Sequence, residues 1–335
     1  MKQESLLDKY KVHPKLIELN SFLSSDKKHL QIKGLIGSSI ALTIACVFEE
    51  AGKQQHVIIL PDKEQAAYFY NDLENIFEET EVDVNKKRIL FYPTSYKRPY
   101  EPENPDRSYQ LSRTEVLKRL MTGDRKTIIV SYPEALAEKV ITKNYMTRNI
   151  MKLQQGEKVS FEFVSDLLVE FDFESVEFVA EPGQFAIRGG IVDVFSFSND
   201  HPYRIEFFGD TVESIRTFDL LSQLSIQKMN RISLLPNVQD RMIEEKRISF
   251  FQFAPSKTVC WLHDVSFTIE RIDKEFKKAQ DTFERFGEEL QQAEPSTLFI
   301  KGSQFFNQLD HVKAIEFGGT NYFKTNNVVE FSQIP

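Results

Sequence analysis

The chain of 335 residues sets 42 Lys and Arg against 50 Asp and Glu, a formal charge of -8, with 41% hydrophobic and 27% charged residues. These values predict a globular protein of two or three domains and exclude a disordered or fibrous chain. The longest nearly apolar run, Ile40 to Phe48, is about half of the roughly 20 residues that a bilayer span needs, and the polar start MKQESLLDKYK lacks the apolar region of a signal peptide. A soluble, cytoplasmic protein with no membrane partner is expected.

In chain order, Leu30 to Leu35 reads as a strand, Ser39 to Ala51 as a helix, His56 to Leu60 as a strand and Lys63 to Glu79 as a helix. Arg88 to Tyr92 follows as a strand, Asp106 to Met121 as a helix, and Lys126 to Ser131 as a strand leading into a short helix after Pro133. Strands separated by helices predict parallel crossovers and an α/β sheet. Between them, Pro93 to Pro105 is proline-rich and reads as an ordered loop.

After Asn144 the pattern changes. A strand near Asn149 to Gln154 and a helix near Ser160 to Phe171 precede closely spaced strands: Ser175 to Ala180, Gln184 to Arg188, Gly190 to Phe197, Tyr203 to Phe208 and Thr211 to Phe218. Gly209-Asp210 fits a two-residue hairpin turn with Gly first. This predicts an antiparallel α+β domain inserted into the α/β one. Mixed structure returns after Ser233, with a strand at Thr258 to Leu262, a charged helix from Phe267 to Gln292, and strand-like runs at Thr297 to Lys301 and Ala314 to Phe317. This part is expected to pack back on the first domain.

Cys46 and Cys260 lie far apart in apolar segments and read as buried thiols, not as a disulfide or a metal pair. The six histidines show no metal-binding spacing, and no carboxylate pair stands out as an acid/base couple, so the catalytic and metal sites are expected to be none. Lys86 to Lys126 holds 11 basic and 5 acidic residues, which reads either as a solvated face with internal ion pairs or as a nucleic-acid or partner surface. The segment Met146 to Ile232 counts 8 basic and 14 acidic residues and is a poor phosphate surface. Of the 29 Phe, 11 fall between Phe161 and Phe218, enough to leave room for an exposed ring.

The first strand, loop and helix, Ile32-Lys33-Gly34-Leu35-Ile36-Gly37-Ser38-Ser39-Ile40-Ala41, has the outline of a phosphate loop without its chemistry. A working G-x-x-x-x-G-K-[ST] loop needs Lys on the β and γ oxygens and a hydroxyl on magnesium. With Gly34 as the first glycine, Ser39 stands at the second, Ile40 at the Lys and Ala41 at the Ser/Thr. The charge and the metal ligand are absent, so no bound cofactor and no ATP hydrolysis are expected here.

The run EFVAEPGQFAIRGGIVDVFSFSNDHPYRIEFFGDTVESIRTFD, Glu177 to Asp219, resembles the second domain of the family formed by the excision repair protein UvrB and the transcription-repair coupling factors (Mfd). KGLIGSSIALTIA resembles the family's phosphate loop in its decayed, coupling-factor form. LLPNV, Leu234 to Val238, and PSKTVCWLHD, Pro255 to Asp264, resemble the segment after the inserted domain. His263 and Asp264 align with the first two positions of UvrB's D-E-x-H motif, which is broken here, and the first domain has no aromatic-rich insertion long enough for UvrB's DNA-clamping hairpin. The chain is therefore most similar to the amino-terminal region of the coupling factors.

The resemblance implies a degenerate P-loop-type parallel sheet (UvrB-like domains 1a and 1b) carrying an inserted α+β antiparallel domain (UvrB-like domain 2). The expected layout is an amino-terminal extension at 1–26, the sheet domain at 27–145 and 233–320, the insert at 146–232, and a linker at 321–335 towards downstream domains. It implies a docking platform for UvrA, contacted by Arg188, Arg204 and Phe208. RNA polymerase, DNA, ATP and magnesium would belong to downstream domains, with at most weak non-specific DNA binding by this chain. The alternative it leaves is a UvrB-like nucleic-acid-binding repair protein with a vestigial ATPase fold. In Tyr203 to Phe208, alternation puts Ile205 and Phe207 on one face and Arg204, Glu206 and Phe208 on the other. UvrB tends to carry a second Arg where this chain has Ala186, a departure that bears on affinity.

Overall fold

The computed structural model describes residues 6–96, 99–100, 107–235, 246–290 and 293–331. Among these, the strands run in chain order as β1 His29–Lys33, β2 Gln55–Ile59, β3 Ile89–Phe91, β4 Thr127–Ser131, β5 Val140–Ile141, β6 Met151–Gln154, β7 Glu174–Ser175, β8 Gln184–Arg188, β9 Ile191–Phe195, β10 Tyr203–Phe208, β11 Thr211–Phe218, β12 Ser225–Lys228, β13 Arg231–Leu234, β14 Arg247–Ile248, β15 Val259–Leu262, β16 Lys313–Glu316 and β17 Val328–Glu330. Seven of them form one parallel sheet in the order β17-β1-β16-β15-β2-β4-β3. β2 and β4 are buried at every position, as in a parallel sheet with helices on both faces. Because β15 and β16 stand between β1 and β2, the sheet is complete only when the chain returns after the second domain. The fold is thus α/β with a separate, mostly antiparallel sheet, as the sequence pattern implies.

The described parts of the segments at 1–26 and 321–335 pack into this domain. In the helix Pro14–Ser24, Leu16, Leu19, Phe22 and Leu23 are spaced to bury one face in the main core. The segment expected as a linker, 321–335, supplies β17, which pairs with β1, while Phe331 N donates to Lys33 O at 2.9 Å. β17 is only three residues long, too short for its alternation to be read from sequence. Residues 332–335, like Lys97, Arg98 and Pro236 to Val238, lie outside the described residues.

Buried in the centre of the sheet, the Trp261 indole N–H donates to His56 Nδ1 at 3.1 Å. Burial, with Lys126 as a lesser cause, pushes the His56 pKa down to about 3. The unfolded chain takes up this proton near pH 6.5 and the folded chain does not, so the stability is fully present above pH 6.5 and is lost as pH falls from there towards 3. The loss between pH 7.5 and 5 is expected to be about 2 kcal/mol. Urea titrations at the two pH values check it, with His56→Gln flattening the difference.

The second domain is built on a six-stranded sheet, β12-β11-β10-β9-β8-β7. One face packs against the helix Phe161–Glu170 and the pair β6/β13, through Val164, Leu168, Phe185, Val192, Val194, Ile205, Phe207 and Ile215. Gly209, at φ +56, leads a two-residue turn that joins Phe208 to its partner Thr211. One expectation is corrected. The strand placed at Ser175 to Ala180 is only β7, and it runs parallel to β8. Beyond it, Gln184 Oε1 accepts from the N–H groups of Ala180 and Glu181 at 3.0 and 3.1 Å, so a side chain takes bonds that a ladder would have made. β12 had no sequence signal because all four of its side chains are exposed, which leaves no apolar alternation.

The two domains meet where the β9–β10 connection touches the first domain. Asn85 Nδ2 donates to Asn199 Oδ1 at 2.9 Å, and the Asp200 carboxylate accepts from the N–H groups of Asn85 and Val84. Burial raises the pKa of Asp200 above its ordinary value.

Candidate functional site

The other face of the six-stranded sheet carries a small apolar cluster, Val179, Ala186, Phe195 and Phe218, and beside it a set of charges. Its centre is Asp193 on β9, fully buried. In the strand register Asp193 lies opposite Ala186 on one side and Arg204 on the other. Arg204 clasps it in a fork, Nε to Oδ1 at 2.7 Å and Nη2 to Oδ2 at 2.8 Å, and Arg188 Nη2 donates to the same Oδ2. Each guanidinium also lies over a ring, Arg204 over Phe218 at 4.2 Å and Arg188 over Phe178 at 4.9 Å. Further along β10, Glu206 accepts from Arg216 at 2.6 Å and from the Ser214 hydroxyl. These two donors hold its carboxyl down at about 2, so it is ionised throughout the neutral range.

The structure places the three expected contact residues on this one face. Phe208 is 79% exposed, so its ring is not covered by a loop. Ile205 and Phe207 point into the core, as the alternation predicts. The arginines are less free than the sequence reading implies: the Arg204 side chain is only 15% exposed and its fork is occupied by Asp193, whereas Arg188 is 39% exposed. Arg188 and Arg204, with Phe178, Ile191 and Gln223, line a groove of about 580 Å³. Sequence reasoning missed Asp193 and Gln223. Asp193 stands between Val192 and Val194 in an otherwise apolar strand, and pairing β9 with β10 would have set it beside Arg204.

The decayed phosphate loop lies in the other domain, and its groups bond to one another. Ser39 N and Ile40 N donate to the carbonyls of Ile36 and Gly37 at 3.3 Å, and the Ser39 hydroxyl donates to Ile36 O at 2.7 Å while accepting from Ile36 N at 2.9 Å. Ser38 caps the helix start without a side-chain bond, Gly37 has φ +55, Ala41 is buried and Ile40 packs against the core. Gly34, at φ +82, serves the fold: a Cβ there would sit 2.0 Å from the Phe331 carbonyl oxygen, against the chain that follows β17. Asp264 accepts from Phe267 N at 2.8 Å at the start of the helix Val265–Leu290, and the His263 ring packs edge-on against Phe317.

The basic stretch resolves towards internal pairing among the described side chains. Lys86 pairs with Asp83, Lys87 with Glu74, Arg88 with Glu79 and Glu49, Arg113 with Glu138, Lys118 and Arg119 with Glu115, and Arg125 with Asp124. Lys126 donates to the carbonyls of Phe48 and Glu49 at 2.9 Å. Among the described residues there is no cluster of His, Cys, Asp or Glu able to hold a metal ion, and no helix long and apolar enough to cross a membrane.

The domain that carries this face is a recognised one: residues 151–239 match the family model of the UvrB interaction domain. The chain is also similar to transcription-repair-coupling factors over about 60% of its length and to UvrB proteins. It is 25% identical over 224 residues to the transcription-repair-coupling factor of Haemophilus influenzae, an alignment covering 67% of this chain and 19% of that protein. With the factor of Myxococcus xanthus it shares 30% identity over 191 residues, 57% of this chain and 16% of the relative. With UvrABC system protein B of Thermosipho africanus it shares 25% over 289 residues, 84% of this chain and 40% of the relative. The chain thus spans less than a fifth of these coupling factors and two fifths of that UvrB.

Proposed function

We propose that this chain is the UvrA-docking platform of a transcription-repair coupling factor, working in the cytoplasm to recruit nucleotide excision repair to stalled RNA polymerase. The observation that carries the reading is Phe208. It stands 79% exposed on the same face as Arg188 and Arg204, inside the segment that matches the UvrB interaction domain. An exposed ring on a strand gains nothing from folding, and an aromatic beside arginines is the usual composition of an interface hot spot. A UvrB-like role in nucleic-acid binding with a vestigial ATPase fold fits less well, because the described basic side chains between Lys86 and Lys126 are engaged within the molecule. Contacts to RNA polymerase and DNA, and the ATP-driven motor, belong in this reading to parts of a longer protein. Capture of purified UvrA by the immobilised chain at about 150 mM salt tests the reading, because screening at that salt removes most purely electrostatic affinity. Saturable binding is expected, and its absence would refute it.

In the same reading the chain turns over no ATP and binds it weakly at most. Ile40 and Ala41 replace the Lys and the hydroxyl, and the loop amides of Ser39 and Ile40 already have acceptors. Calorimetry with Mg-ATP is expected to show no micromolar binding, and a phosphate-release assay no turnover. A hydrolysis rate abolished by a change at Ser38 would contradict this.

A further inference from the structure

We propose that the loop after β11, Asp219 to Leu224, is a second, apolar anchor of the docking face, in which Leu221 and Leu224 enter an apolar recess on UvrA. Leu221 is 96% exposed and Leu224 70%, among the largest apolar exposures of the described residues. Two leucines in water on a loose loop would carry little meaning, but this loop is tightly bonded. Asp219 Oδ1 accepts from Ser222 N at 2.8 Å and from its hydroxyl at 2.7 Å. Asp219 N donates to Leu224 O at 2.9 Å, and Gln223 N to Asp219 O at 2.8 Å. Gln223 is held at φ +59, a left-handed conformation unfavourable for a residue with a side chain.

The strain has an evident product. With the backbone in that conformation, Gln223 Oε1 accepts from Arg204 Nη2 at 3.0 Å, while Gln223 Nε2 donates to Leu220 O at 2.8 Å. The loop is therefore fastened to the arginine at the centre of the face, and Leu220 and Gln223 line the groove shared with Arg188. Apolar residues carried on a backbone fixed in advance lose less conformational freedom on binding than residues on a loose loop, which is what makes an anchor effective. The same loop starts β12, whose Ile226 is 50% exposed, so the apolar surface runs on towards the sheet edge. This inference rests on the UvrA reading and enlarges its surface from three residues to a face with a charged centre and two apolar flanks, Phe208 and the leucine loop.

The test is a titration of UvrA with the whole chain carrying Leu221→Ser and Leu224→Ser together, beside wild type and Phe208→Ala. Both leucines are exposed, so the melting temperature is expected to be unchanged, and affinity is expected to fall about tenfold or more. Loss with Phe208→Ala but none with the double leucine variant overturns the second anchor and leaves the docking reading standing. No loss with either variant sinks the docking reading itself. Sedimentation of the free chain completes the test. A dimer that the leucine changes dissolve, with UvrA affinity unaltered, would assign the loop to contact between copies and overturn the proposal.

Discussion

Asp193→Ala is expected to lower the stability of the inserted domain by about 2 to 4 kcal/mol and, in the proposed function, to weaken UvrA binding at the same time. The carboxylate is fully buried and receives three donors from two arginines. Removing it leaves the Arg204 guanidinium, only 15% exposed, beside Phe218 without its paired carboxylate and with only the more distant Glu206 charge. Arg188, 39% exposed, can turn to water, which keeps the cost towards the lower part of the range for a broken buried pair. Asp193→Asn is expected to cost less, because the amide oxygen still accepts one arginine. Urea denaturation monitored by circular dichroism, with the UvrA titration repeated below the transition, separates the two effects. Unchanged stability in Asp193→Ala would show that the arginines do not depend on it.

Phe208→Ala is expected to behave in the opposite way. The ring is 79% exposed, so its removal changes stability by no more than about 0.5 kcal/mol. Its effect on UvrA affinity should be about 30-fold, or about 2 kcal/mol, the loss typical of an aromatic hot spot. Arg204→Ala falls between them. It removes the fork that neutralises Asp193, so part of any lost affinity will come from a weakened fold. Calorimetric titration paired with thermal melting of each variant checks this ordering. A melting loss in Phe208→Ala equal to that of Asp193→Ala would contradict it.

Much of the fold was legible because its signals are local. β10 and β11 were readable to the residue from alternation and the Gly209 turn, and β2 and β4 from short apolar runs between helices. What was not legible depends on partners distant in sequence. β17 is a strand because β1 offers it an edge about 300 residues away, and Gly34 is needed because of that same neighbour. The site divides along the same line. Phe208 could be placed on the outer face from its own strand, but its exposure could not. The pairing of Arg188 and Arg204 through Asp193 needs the register of three strands, and the bond from Gln223 to Arg204 needs a loop with no sequence period. The basic run at Lys86 to Lys126 left two readings open because its acidic partners, such as Glu49, Glu74 and Glu138, lie largely outside it.

In the proposed function the outer face of the inserted domain docks UvrA in the manner of UvrB's own interaction domain. The most direct test is competition: labelled UvrB bound to UvrA is titrated with this chain and with its Phe208→Ala variant. The chain is expected to displace UvrB, and the variant, folded and with unchanged melting because Phe208 is 79% exposed, to do so about 30-fold more weakly. Simultaneous binding of both proteins to UvrA, or displacement by the variant as effective as by wild type, would contradict it.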